Sequence, residues 1–145
     1  MQIELQQSMT NKEWTVSESR EKGRQVVREM LGEEFLGAMD AAAASGGFCA
    51  DAASLALENA FGDAWSRPGL DRRSRSLVTL GMLIALRTPW EFSNHVRIGL
   101  ANGLTEKELE EVVLHAIPYV GFPAVSVALK ACKEVLGDRV ATIQE

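Results

Sequence analysis

The sequence predicts an all-α protein. Apolar residues recur at helical spacing along nearly the whole chain, and no stretch keeps the period-two alternation of β-branched and aromatic residues that a half-buried strand needs. Glycine, proline and short polar residues fall at the intervals expected of helix ends. Together these give one compact bundle of six to seven helices.

The elements follow in order. Residues 1–15 read as a polar lead, and 16–140 as a single domain. Ser17 is a candidate N-cap, with Arg20 where a full capping box would have Glu or Gln. The helix behind it carries Gly23, Val26, Val27, Met30 and Leu31, and Gly32 stops it. An Ala-rich helix over 33–44 ends at Ser45-Gly46-Gly47. Residues 48–61 place Phe48, Ala52, Leu55, Ala56 and Phe61 at helical spacing. Pro68 and Gly69 mark a break, and Asp71 caps RRSRSLVTLGMLIAL. That helix is apolar on every face from Leu77 to Leu86, the mark of a central helix. Thr88, Pro89 and Glu91 form a capping-box start for the next helix, which stops at Asn102-Gly103. Thr105 and Glu108 give a second box. Pro118 and Gly121 are expected to interrupt that helix, and the last runs over 123–136 to Gly137.

The chain has 145 residues, 46% of them apolar, and a formal net charge of −5. An acidic balance argues against a nucleic-acid partner. No apolar run reaches the length of a membrane span, and the N-terminus lacks a basic segment followed by an apolar one, so cytoplasmic residence is expected. Cys49 and Cys132 form no CxxC and read as buried thiols. No metal-ligand spacing is present.

Two histidines occur. On the helix from Pro89, residues 91, 94, 95, 98 and 102 share a face, reading Glu, Asn, His, Ile, Asn. A carboxylate one turn before an imidazole can fix its tautomer and raise its pKa, as a general acid requires. The same spacing also fits a helix-surface pair worth a few tenths of a kcal/mol. His115 and Tyr119 lie one turn apart on the following helix; a core tyrosine bonded to a carbonyl and a surface or core histidine are the more common readings of that spacing. Arg72, Arg73 and Arg75 stand at a helix N-terminus, where the macrodipole opposes cations. They read either as holders of an anionic ligand or neighbouring subunit, or as a solvated basic turn.

The stretches WSRPGLDRRSRSLVTLGMLIAL and EFSNHVRIGLANGLTEKELEEVVLHAIPYVGFPA resemble the γ-carboxymuconolactone decarboxylase family. REKGRQVVREMLG at 20–32 resembles its first helix. The resemblance implies an alkylhydroperoxidase-D-like orthogonal bundle and loss of CO2 from 4-carboxymuconolactone, a small anionic lactone of aromatic-compound catabolism. It implies His95 as general acid and Glu91 as its partner. Tyr119 would donate to the lactone oxygen, and Arg72 or Arg75 would hold a carboxylate. Trp90, Asn94 and His115 belong to the same expected pocket. No cofactor is implied, because the substrate's own unsaturation accepts the electron pair. Thiol peroxidases of the wider superfamily carry cysteines where this chain has Thr88 and Glu91, which removes disulfide-based peroxide reduction.

Trp90, Phe92 and Asn94 depart from the family pattern, and so does segment 45–61. These leave open a decarboxylase or isomerase for another small cyclic acid, and a non-catalytic oligomeric binding protein on the same scaffold. The all-apolar helix, with Gly81, Gly99 and Ala41–Ala44 allowing close approach, predicts a homo-oligomer, and the resemblance implies a trimer or hexamer.

Overall fold

A computed structural model describes residues 17–140, with side chains through Gly137; the expected lead at 1–15 lies outside them. The described residues form seven α-helices, one π-helical segment and no strand. They are α1 (Glu18–Leu31), α2 (Glu33–Ala44), α3 (Asp51–Leu55) running into the π segment (Ala56–Trp65), α4 (Arg72–Leu86), α5 (Pro89–Ala101), α6 (Glu106–Val120) and α7 (Phe122–Val140). They fall into two compact units, one ending at Arg67 and one starting at Pro68. No described helix is long and apolar enough to cross a membrane.

In the first unit the Ser17 hydroxyl accepts the Arg20 N–H at 3.1 Å, closing the cap. Gly32, at φ 88°, turns the chain from α1 into α2 in one residue, a conformation that favours glycine. The core is small: Val27, Leu36 and Leu57, with Leu31, Met39 and Phe61 packed around them. α1 and the π segment meet backbone to backbone. A Cβ on Gly23 would lie 1.8 Å from the Leu57 carbonyl oxygen, and one on Gly62 would lie 1.9 Å from that of Ser19. Here glycine permits close approach.

The π segment departs from the α-helix expected over 48–61. Its wider turn brings residues five apart into line. Glu58 thereby accepts from the Ser17 hydroxyl at 2.8 Å and pairs with Arg20 at 3.0 Å, while Asp63 accepts from Ser19 at 2.5 Å. Both carboxylates meet the start of α1, where the macrodipole favours negative charge. Phe48 is fully exposed, and the residue that enters the core is Leu57. Cys49, expected buried, is exposed in the turn before α3.

The second unit carries the larger core: Leu80 and Ile84 of α4, Phe92 and Val96 of α5, Leu104, Leu109 and Val113, and Ala124, Val125, Ala128 and Ala131 of α7. α4 packs against α5, α6 and α7, and both α5 and α6 also pack against α7. α4 is central in that sense, yet Val78, Met82 and Leu86, spaced one turn apart, stay exposed as a stripe in the single chain. The Asp71 cap forms as expected, accepting the Ser74 N–H at 2.8 Å. Cys132 is half-buried, and burial pushes its thiol up to about 11, so it stays protonated.

Three helix ends differ from expectation. The Thr88–Glu91 box does not form: Thr88 makes no side-chain cap. Its N–H and hydroxyl instead reach back to the Leu83 carbonyl, at 3.3 and 3.4 Å, finishing α4 through Arg87 at φ 56°. Pro118 does not interrupt α6, which continues to Val120 before Gly121 turns the chain at φ 83°. A proline this near the C-terminus forfeits a single helical bond. α7 runs through Gly137 to Val140, because a glycine ends a helix where it takes up a left-handed backbone itself, and Gly137 is not among the positive-φ glycines of the described residues.

Candidate functional site

α5 is held at both ends. Phe92, Val96, Ile98 and Gly99 are buried. At its end Asn102 donates to the buried Ser76 hydroxyl at 3.0 Å and to the Arg72 carbonyl at 3.5 Å, tying α5 to the start of α4. A Cβ on Gly99 would meet Leu104 Cδ1 at 2.9 Å, so glycine lets the turn after α5 fold back over it. The face chosen from sequence is therefore graded: Glu91 is exposed, Asn94 and His95 half-buried, and Ile98 buried.

His95 Nδ1 is sealed from solvent. Burial lowers the imidazole pKa below its ordinary 6.5, and the Glu91 charge opposes that shift without overcoming it. The expected upward pull from Glu91 is present, but desolvation of the cationic form is the larger effect. Without its box, Glu91 is not committed to the α5 N-terminus. Beside the histidine, Arg97 Nη1 donates to Asn94 Oδ1 at 3.4 Å. Trp90 stands 76% exposed, whereas Phe92 belongs to the core.

The remaining expected site residues lie elsewhere in this unit. His115 and Tyr119 pack ring to ring, centroids 5.2 Å apart and tilted by 46°. They line a groove of about 550 Å³ between α4 and α6, whose lining also includes Arg73, Leu77, Gly81, Glu108 and Glu111 but neither Glu91 nor His95. Of the three arginines, Arg73 reaches this groove, ion-paired with Glu108. Arg75 Nε donates to the Leu70 carbonyl at 3.0 Å and closes the turn before α4. Arg72 is half-buried, and neither it nor Arg75 lines the groove. Sequence spacing held a signal for this grouping: Arg73, Leu77 and Gly81 recur every four residues, as do Glu111, His115 and Tyr119.

In this all-α unit a half-buried histidine lies one turn after a carboxylate whose charge acts on it. Comparison with known proteins is more specific. Residues 50–134 match the carboxymuconolactone decarboxylase family, and the chain belongs to that family. It is 37% identical over 120 residues to nitrosuccinic acid decarboxylase of Metarhizium robertsii, covering 83% of this chain and 82% of that protein. It is 46% identical over 79 residues to 4-carboxymuconolactone decarboxylase of Acinetobacter baylyi, a match spanning 54% of this chain and 59% of that protein.

Proposed function

We propose that the protein is a carboxy-lyase acting on a small organic acid, with 4-carboxymuconolactone as substrate and His95 as the general acid. The observation that carries the reading is His95 itself: half-buried, a turn after Glu91, within the stretch matched to the family. Two relatives named as decarboxylases support it.

The chemistry balances without an oxidant or reductant. The C–C bond to the departing carboxylate breaks, CO2 leaves, and the electron pair passes through the ring double bond into the lactone carbonyl as a dienolate. His95 then gives a proton to carbon and regains one from water. Nδ1 is sealed from solvent, so Nε2 is the nitrogen that exchanges the proton with substrate. The lowered pKa has a consequence for this role. The free imidazole is mostly neutral at pH 7. A bound anionic substrate adds to the Glu91 charge and raises the pKa, loading the proton when it is needed. Tyr119, His115 and Arg73 line the groove between α4 and α6, and we assign the catalytic step to His95 with Glu91 as its partner.

A second reading is decarboxylation of nitrosuccinate, favoured by the greater extent of that match. A nitro group beside the departing carboxylate takes the electron pair as a nitronate, and the same histidine would protonate carbon. In both readings the substrate is its own electron sink.

The exposed Val78, Met82 and Leu86 stripe supports assembly into a homo-oligomer, a trimer or hexamer, since repeated copies cover such a surface. CO2 release from 4-carboxymuconolactone and from nitrosuccinate by purified protein, beside His95→Ala, tests the function. Release from the lactone that is lost in His95→Ala supports the reading. Release from nitrosuccinate alone selects the second. Binding of either acid without CO2 marks a binding protein on a decarboxylase scaffold and overturns both.

A further inference from the structure

The groove between α4 and α6 has its own chemistry, apart from His95. Its volume of about 550 Å³ suits a small molecule. Leu77, Val112, Ala116 and Val120 make it apolar. Gly81 keeps it open: a Cβ built there meets nothing within 4 Å. On one wall Tyr119 stands 76% exposed beside His115. A half-formed aromatic cluster is completed by a further ring, edge to face or offset. The phenol and imidazole also offer a donor and an acceptor to one edge of such a ring.

The charges at the groove are already matched. Arg73 is paired with Glu108, and Glu111 lies 3.5 Å from Lys107. Glu108 is held twice, since it also accepts the Thr105 N–H at 2.9 Å in the α6 capping box. A charged ligand would have to break one of these pairs, whereas an uncharged ring leaves them intact. From this we infer that the groove binds an uncharged planar ring carrying a hydroxyl or amide edge, at a site separate from the decarboxylation chemistry.

The single tyrosine makes the test direct. With 3-fluorotyrosine incorporated, Tyr119 gives one fluorine resonance, and phenol is titrated against benzoate and benzylammonium. The expected result is saturable movement of that resonance by phenol, with a dissociation constant on the order of 1 mM for a ligand this small. Benzoate and benzylammonium should bind at least tenfold more weakly. Gly81→Leu fills the groove with a better helix former, and its thermal midpoint reports that it folds; it should weaken phenol binding at least tenfold. No saturation, equal binding of the charged probes, or undiminished binding to folded Gly81→Leu overturns the inference. So does dissociation of a wild-type oligomer by Gly81→Leu, which would mark the groove as covered by a second copy.

Discussion

α5 and α6 begin with the same signature, Thr-x-x-Glu, and each carries a histidine. They use it differently. At α6 the Thr105 hydroxyl accepts the Glu108 N–H at 3.1 Å, and Glu108 returns to the Thr105 N–H at 2.9 Å. The Thr105 N–H, and after it Arg73, hold the Glu108 carboxyl below its ordinary range. At α5 the two-residue connection pulls Thr88 back to finish α4, and Glu91 stays out of a cap. His95 then lies one turn beyond a carboxylate that still acts on it, whereas His115 is exposed against Tyr119. One motif yields a helix start in the first case. Its failure in the second leaves a carboxylate whose charge acts on His95.

The sharpest way to break this contrast is to remove each histidine. His95→Gln should lower kcat on the order of 10²–10⁴-fold if His95 is the general acid. The fold should be kept, checked by the thermal midpoint. His115→Gln should cause a loss at least tenfold smaller. If the two losses are equal, or His95→Gln keeps near-normal kcat, the assignment of chemistry to α5 is wrong.

The pH dependence sharpens it further. An acid must be protonated, so kcat/KM should fall as pH rises through the free-enzyme pKa of His95, which lies below 6.5. The fall in kcat should come at higher pH, because bound anion raises that pKa. Stability runs the other way. The folded pKa lies below the unfolded one, so the unfolded chain binds more protons between them. The contribution of neutral His95 is thus complete above 6.5 and is lost as pH falls through the folded value. His95→Gln should flatten that part of the stability profile; an unchanged profile would mean the imidazole is not desolvated. Glu91→Gln takes away an upward pull on His95, lowering its pKa further. We expect kcat/KM at pH 7 to drop about three- to tenfold, with the kcat/KM profile displaced toward acid. A uniform loss with no displacement would make Glu91 a surface residue.

How much of this was legible follows from the range of the forces involved. Ser17, Asp71 and Thr105 were readable as caps because a cap closes within three residues of its own chain. Thr88 was not, since its fate depends on the turn that ends α4. The π segment was not, since it answers to α1 across the Gly23–Gly62 approach. The Glu91–His95 pairing was legible from helical spacing, but the direction of the pKa shift needed the burial of the α5 face. The grouping of Arg73 with His115 and Tyr119 needed α4 to lie against α6, a relation no single helix encodes.

The smallest expected effect tests the motif itself. Thr105→Ala leaves the Glu108 N–H without its cap and should cost about 1 kcal/mol, a fall of about 2–4 °C in thermal midpoint for a chain of this size. Thr88→Ala removes only a hydroxyl contact at 3.4 Å, at the edge of hydrogen-bonding range. The Thr88 N–H bond to Leu83 is a backbone bond that alanine keeps. Its cost should therefore be about 0.5 kcal/mol or less. Equal losses in the two variants would mean that Thr88 caps α5 in solution. Glu91 would then be drawn into a box as Glu108 is, and its role beside His95 would fall with it.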